Sequence, residues 1–475
     1  MLFSGGRGSR VLSKQLINHP RVELTLAVNG YDDGASTGEV RRFLGDSLGP
    51  SDFRKNASRL AREMQSCRPE LVELLDLRFP LGYSTGEALA AFRIISGQMT
   101  DATLTATPTG FQTTLLSLLA KVDEPARLLL AGKLRSFEQE LGRAGRDFSF
   151  SDCSLGNLAF AGCFLEVGRD FNAAITDYCA MLDLPDGLIE NVTDGMNACL
   201  VALDRDHRLL ASEADIVDAN RRNHIKDIYL IDRPLTGEEE RWLASVSNAE
   251  VTEFLQRRAK LPAANPRLLE RIAEADLIIY SPGTQHSSLF PSYLTPGLGA
   301  AIAQNLTAIK LLITNLQEDA EIPNASAVDI IEKATYYLKG RGAQPISTPC
   351  LITHYLINDH RQTSDGYVPP GRLESLEDPR LVRIGDYEEG VTGRHDAAKV
   401  LTPFIETILQ RGARQRIAVW LLETSSLNKI SQTILEMLRG GIGDLPLSVS
   451  VFYHSRESFA PEFTRLLPFA VENVA

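Results

Sequence analysis

Met1-Leu2-Phe3-Ser4-Gly5-Gly6-Arg7-Gly8-Ser9-Arg10 is the stretch on which the fold reading turns. A short apolar run enters a glycine-rich turn, and Val11-Leu12 and Leu16-Ile17 then recur at helical spacing. Val22 to Val28 follows, a run rich in β-formers. Strand, glycine turn, helix and strand at this spacing make a βαβ unit with a right-handed crossover. Further on, Leu277 to Tyr280 and Ala308 to Thr314 are continuously apolar, as strands covered on both faces are. These elements predict a Rossmann-like α/β fold, a mostly parallel sheet with helices on both faces. Most of the chain from about 57 to 150 reads as helical, as do Ser154 to Val167 and Phe171 to Leu182. Ala198 to Leu203 and Leu209 to Ser212 read as a hairpin across Asp204-Arg205-Asp206-His207, and Ile225 to Ile231 as a strand. After Gly412, Arg416 to Leu422, Leu427 to Leu438 and Leu447 to Phe452 read as strand, helix and strand. The expected organisation is one domain over 1–412, with a helical insertion at about 83–150, and a small α/β extension over 413–475.

The bulk composition excludes several classes. A chain of 475 residues, 44% of them hydrophobic, can bury a core without disulfide or metal staples. With 61 acidic residues against 49 basic ones, the net charge of −12 argues against a nucleic-acid footprint. Six scattered cysteines form no CxxC pair and read as buried apolar residues in a reducing compartment. No apolar run approaches the ~20 residues of a membrane span, and the first residues read as a strand rather than a leader. A cytoplasmic protein with no membrane partner is expected. The sequence leaves homo-oligomer formation open.

Four stretches could carry chemistry. Gly5-Gly6-Arg7-Gly8 allows close backbone approach to a phosphate at a helix N-terminus, or simply a tight turn. It is not a dinucleotide fingerprint, because Val11 stands where GxGxxG needs its third glycine, and GxxxxGK[ST] is absent. Asn29, with no acidic residue beside it, ends the second strand, which also weighs against an NAD dehydrogenase. Asn29 to Gly38 is long for a mere turn, and its adjacent Asp32 and Asp33 could hold a hard cation such as magnesium at a strand end. Ser36 and the following Arg41 belong to the same stretch. In Gly49 to Asn56, Asp52 could be a base or cation ligand and Arg54 a bidentate phosphate grip; the plain alternative is a helix start with Asp52 as N-cap. Ser281 to Ser288, with Pro282, Gly283 and Thr284, opens from a buried strand into hydroxyl residues heading a helix, again an anion site. His286 there is more simply an ordinary loop histidine. Two GxSxG matches, around Ser47 and Ser84, follow no strand and lack a triad histidine in order, so a serine hydrolase is not supported.

Taken in order, these stretches resemble one superfamily. The series is the glycine loop, Asp-Asp-Gly-x-Ser-x-Gly-x-x-Arg from Asp32, and Gly-Pro-x-Asp-x-Arg-x-Asn from Gly49. Ser154-Leu155-Gly156-Asn157-Leu158, Ala275 to Thr284, Thr314-Asn315-Leu316 and Gly393-Arg394-His395-Asp396 follow. The series is similar to the superfamily joining 2-phospho-L-lactate transferases to gluconeogenesis factor (YvcK-type) proteins, and closer to the second branch. The resemblance implies a ligand site at the strand ends. In one branch that site takes a nucleotide-activated phospholactate-type donor with magnesium and passes the phospho-acid to a deazaflavin precursor. In the other it binds a UDP-sugar, in a regulator of carbon metabolism and cell shape. Carried over, Gly5, Gly6 and Gly8 would lie against phosphate, and Asp32 and Asp33 beside the metal or transferred group. Arg54, Asn56, Asn157, Pro282, Gly283 and Thr284 would complete the pocket, with Asn315 at its edge. Four departures bear on ligand identity: Arg7 for a small residue, Ala35 for glycine, Ser51 for proline, and Ser151 to Cys153 for Gly-His.

Overall fold

The computed structural model describes residues 1–98, 110–218, 223–359, 366–411, 415–421, 447–453 and 471–473. It separates into two units, Met1–Val400 and Leu401–Ala475. The first unit carries the strands β1 (Leu2–Gly5), β2 (Leu26–Val28), β3 (Ile189–Asn191), β4 (Cys199–Asp204), β5 (Leu209–Leu210), β6 (Ile225–Ile231), β7 (Leu277–Gly283), β8 (Ile309–Ile313), β9 (His354–Asn358) and β10 (Val382–Gly385). Seven of them form one sheet in the order β10-β9-β8-β7-β1-β2-β3. Every pairing in it is parallel. The strand expected over Val22 to Val28 is formed by its last three residues only, with the Thr25 carbonyl accepting from the Leu2 amide where the ladder begins.

The strand order decides where a ligand can sit. From β1 the chain runs outward one way through β2 and β3, and the other way through β7 to β10. The order therefore reverses between β1 and β7, and in open parallel sheets a crevice forms at that switch point, beyond the carboxyl ends of the strands. The loops there are the glycine loop after β1 and Ser281 to Ser288 after β7. Phe3 and Tyr280, on these neighbouring strands, stack at 5.6 Å, and Tyr293 closes on both edge-on. This aromatic cluster makes the floor beneath the crevice rigid.

Helices cover the sheet. They include α1 (Arg10–Ile17), α2 (Ala35–Leu44), α3 (Ser51–Met64), α4 (Pro69–Asp76), α5 (Thr85–Ile95), α6 (Gly110–Leu119), α7 (Glu124–Ala144), α8 (Leu155–Glu166) and α9 (Phe171–Met181). The segment expected as an insertion contains α5, α6 and α7; residues 99–109 lie outside the described residues. It is bound to the rest by aromatic packing: Phe137 and Phe148 both meet Phe43 of α2, at 5.4 and 5.3 Å. Lys133 of α7 donates to Glu166 and Asp177 at 2.6 Å each, which ties α7 to α8 and α9. The expected hairpin forms as β4 and β5, and β6 pairs with β4 to complete a small antiparallel sheet. Both GxSxG serines have structural posts. Ser47 is buried and donates to the Leu48 carbonyl, and Ser84 caps α5 in a capping box.

The second unit contains three parallel strands, Gln415–Leu421, Leu447–Tyr453 and Val471–Asn473. The division at Val400 falls inside the helix Ala397–Arg411. The helix expected over Leu427 to Leu438 lies outside the described residues. No helix among the described residues is long and apolar enough to cross a membrane.

Candidate functional site

At the switch point the two loops lie backbone against backbone. Gly5 and Gly283 are register partners, the Gly5 amide donates to Ser281 Oγ at 3.3 Å, and the Thr284 amide donates to the Gly5 carbonyl at 3.3 Å. A side chain on Gly8 would run into the Pro282 carbonyl, and one on Gly5 would meet Leu289 at 2.7 Å. Two of the three loop glycines thus turn their Cα toward protein. Gly6, in the left-handed region at φ +65°, is the exposed one, with Thr284 Oγ1 beside it. Asn315, at the end of β8, braces the second loop. Its Oδ1 accepts from Gly283 N and Gln285 Nε2, and its Nδ2 donates to the Gly283 carbonyl at 3.0 Å.

The loop after β2 is packed as tightly. Asn29 Nδ2 donates to the Ser288 carbonyl and to Ser292 Oγ, which joins the end of β2 to the segment after β7. Arg41 is buried and spends its guanidinium on protein acceptors: the carbonyls of Tyr31 (3.0 Å), Asp32 (3.2 Å) and Ala198 (2.7 Å), and Asn197 Oδ1 (2.9 Å). Arg54 is likewise buried. Its Nε donates to Asn157 Oδ1 at 2.6 Å and its Nη1 to Asp76 at 3.1 Å. Asn157 passes the contact on to Ser36 Oγ at 3.3 Å. Asn56 donates to the Asp52 carbonyl and accepts from Arg59. Ala35, where the resembling families have glycine, sits at φ +40°, a left-handed backbone that a Cβ makes costly.

Carboxylates gather beside this loop, with Lys55 exposed next to Asp52. Asp32, Asp33 and Asp52 are half-buried at the mouth. Asp32 Oδ1 accepts from the Gly34 amide at 2.9 Å, and Asp33 Oδ1 from the Glu213 amide at 3.1 Å. Glu213 comes from the short helix Glu213–Ile216, next to the antiparallel sheet, and its carboxyl reaches Asp32. Burial raises the Glu213 carboxyl above the usual range, and the hydrogen bond and charge of Asp32 add to that. Asp52 is raised by burial and then by the Asp32 charge, and Asp33 by burial against the opposing Glu213 amide and Arg41. The donors are all oxygen, the chemistry that suits magnesium, which commonly uses one or two carboxylates together with ligand phosphates. No group of three or more histidine, cysteine, aspartate or glutamate side chains converges as a ready-made metal cage among the described residues.

The family model described as 2-phospho-L-lactate transferase CofD matches residues 1–377. The chain belongs to the CofD family. A curated relative of this CofD-family chain, the "Putative gluconeogenesis factor" of Aquifex aeolicus (strain VF5), is 24% identical over 329 residues, 65% of this chain and 88% of the relative. Two crystal structures of protein BH3568 from Bacillus halodurans, one of them titled as a member of the UPF0052 family, share the fold. Their TM-scores are 0.53 and 0.54 at 20% and 21% identity, covering 85% of this chain and 98% of theirs.

In the CofD-family chain, two acidic residues that the sequence reading passed over take up posts at the crevice. One is Glu213, above. The other is Glu321, which occupies the anion position expected at Ser281 to Ser288. Its carboxylate accepts from the amides of His286 (2.6 Å) and Ser287 (3.0 Å) and from Ser287 Oγ (2.5 Å). The anion held by these donors is therefore the protein's own. Burial pushes this carboxyl up to about 7 from an ordinary 4.5, while the three hydrogen bonds pull the other way. The folded protein then holds the Glu321 proton more tightly than the unfolded chain. The resulting stability is fully present below the unfolded value and is lost as pH rises through about 7. This difference corresponds to roughly 3 kcal/mol. Denaturant unfolding of the wild type and Glu321→Gln between pH 4 and 8 tests it: the variant, which cannot ionise, is expected to show the flatter profile. The other raised carboxyls are common to both proteins and cancel in the difference. Parallel profiles would show that Glu321 does not titrate in this window.

Proposed function

We propose that the chain binds a phosphorylated, nucleotide-like small molecule across the β1/β7 switch point and transfers a phosphorus-containing group, in the manner of 2-phospho-L-lactate transferases. The observation that carries this reading is the division of labour at the crevice. Arg41 and Arg54 are buried on protein partners, while carboxylates gather at the mouth, with the exposed ammonium of Lys55 beside Asp52. A phosphate beside these carboxylates needs positive charge beyond that of Lys55, and phosphoryl-type transfer depends on positioning and charge neutralisation. Magnesium supplies that charge when bound, with Asp32 and Asp33 as its protein ligands. Gly6 and Thr284 line the phosphate side, and Asp52 stands as the nearby base. Arg54, Asn157 and Ser36 position the α2 and α3 N-termini behind them. Membership of the CofD family supports the chemistry.

A second reading is a non-catalytic UDP-sugar-binding regulator, favoured by the gluconeogenesis-factor relative. Titration calorimetry separates the two. The panel is GDP, GTP, UDP-sugars, NAD and a deazaflavin precursor, each with and without magnesium. The transferase reading expects magnesium-dependent nucleotide binding that weakens about tenfold or more in Asp33→Asn, the loss of one strong charge contact, and product formation with the acceptor. UDP-sugar binding without magnesium, with the ligand recovered unchanged, would favour the regulator. Binding by no member of the panel would sink both.

A further inference from the structure

A second cleft, of about 420 Å³, opens beside the crevice between the antiparallel sheet and the helix Ala327–Leu338. None of the residues assigned above to the phosphate or cation side lines it. Its floor is apolar, with Phe290, Ile225 and Ile330, all buried. Tyr336 stands half-open at the rim, and the volume suits a small organic molecule.

The charge of the cleft is decided by which groups are already engaged. Three carboxylates belong to the lining, and each is turned to protein donors. Glu321 accepts from His286 and Ser287, Asp329 from the amide and hydroxyl of Ser326, and Glu332 from Ser375. The cations are not neutralised in this way. Lys333 donates to the Lys226 carbonyl and lies 5.5 Å from the Tyr336 ring, and among the described residues neither it nor Arg205 makes an ion pair. Burial lowers the Lys333 ammonium, Asp227 opposes that, and Arg341, Arg205 and Lys226 lower it further, so the positive charges crowd one another. One wall is also the π-helix Gln285–Leu289, a rare conformation that recurs at functional sites. That segment begins at Thr284, beside Gly6, and carries His286 into the cleft.

We propose that this cleft is a second ligand site, for a small organic anion: an aryl or short aliphatic body on Phe290, Ile225 and Ile330, with its carboxylate or phosphate held by Lys333 and Arg205. The inference does not rest on the transferase reading. The test is calorimetry on the full chain with 2-naphthoate, and with 2-naphthylmethylamine as a cation of similar shape. A one-site isotherm is expected for the acid and no binding for the amine. Lys333→Glu and, independently, Arg205→Glu on its exposed turn are each expected to weaken the acid about tenfold, the worth of one charge-assisted contact. Asp33→Asn, at the other crevice, should leave the affinity for naphthoate unchanged. Equal affinity in both charge-reversal variants, equal binding of the amine, or loss of naphthoate in Asp33→Asn would overturn the proposal. The Arg205 variant keeps the test open should Lys333→Glu fail to fold.

Discussion

Gly283→Ala is expected to cost at least about 4 kcal/mol, the range reserved for substitutions that break a defined structural requirement. Gly283 has a φ of +138°, where an L side chain is strained whatever the space around it. Space is also lacking, because a Cβ there would overlap the Gly5 carbonyl oxygen. That oxygen cannot move aside without loss, since it accepts from the Thr284 amide and belongs to the strand entering the glycine loop. Relief would require β1 and β7 to part at the switch point itself. Gly5→Ala is the informative contrast. Its Cβ would meet the Leu289 side chain, with Cγ and Cδ1 both at 2.7 Å, a neighbour that can shift where a backbone carbonyl cannot. A cost of about 1–3 kcal/mol, that of ordinary overpacking, is expected there. Urea midpoints of the two variants against the wild type measure the difference. A Gly283→Ala protein with a wild-type midpoint would mean that the two loops are not packed backbone to backbone.

The same pair of loops shows what was legible in the sequence. A glycine loop between an apolar run and a helical pattern announces a βαβ unit because few other residues tolerate that turn, and the two buried strands announce the parallel sheet. The hairpin was readable because its two runs flank a short polar turn at Asp204 to His207. The side on which each glycine is needed was not readable. Gly5 and Gly8 satisfy a protein neighbour that arrives from far along the chain, at Pro282 to Leu289. Arg54 looked like a phosphate grip, and Arg41 like part of the ligand stretch, because spacing reveals a charge and not its partner; in the folded chain their partners include carbonyls, Asn157 and Asp76. Glu213 lies 180 residues beyond Asp33, in a segment whose visible signal is only a capping box, Ser212 to Asp215. Glu321 sits in a loop with no periodicity at all. Long-range electrostatic contacts of this kind leave no local pattern, and they make up much of this crevice.

Arg41→Ala separates those two views of an arginine. If Arg41 served a ligand alone, its removal would leave unfolding unchanged and weaken binding. The structure gives the opposite expectation. One guanidinium, 7% exposed, bridges the Tyr31 and Asp32 carbonyls on one side and Asn197 and Ala198 on the other. It thereby fastens the Asp32-Asp33 loop to the strand leading into the antiparallel sheet. Truncation strands several buried acceptors at once, and a loss of about 3–5 kcal/mol is expected. Arg41→Lys should recover only part of this, because an ammonium cannot reproduce the planar fork that spans both sides. A second effect follows from charge. Arg41 pulls the Asp33 carboxyl down against burial, so without it Asp33 holds its proton to still higher pH. Binding of a nucleotide with magnesium should then weaken, most steeply on the acid side, where Asp33 must lose that proton to serve a cation. Unfolding midpoints at fixed pH, set beside the pH dependence of magnesium-supported binding, read the two effects separately. A variant that kept its midpoint and lost only affinity would return Arg41 to the ligand.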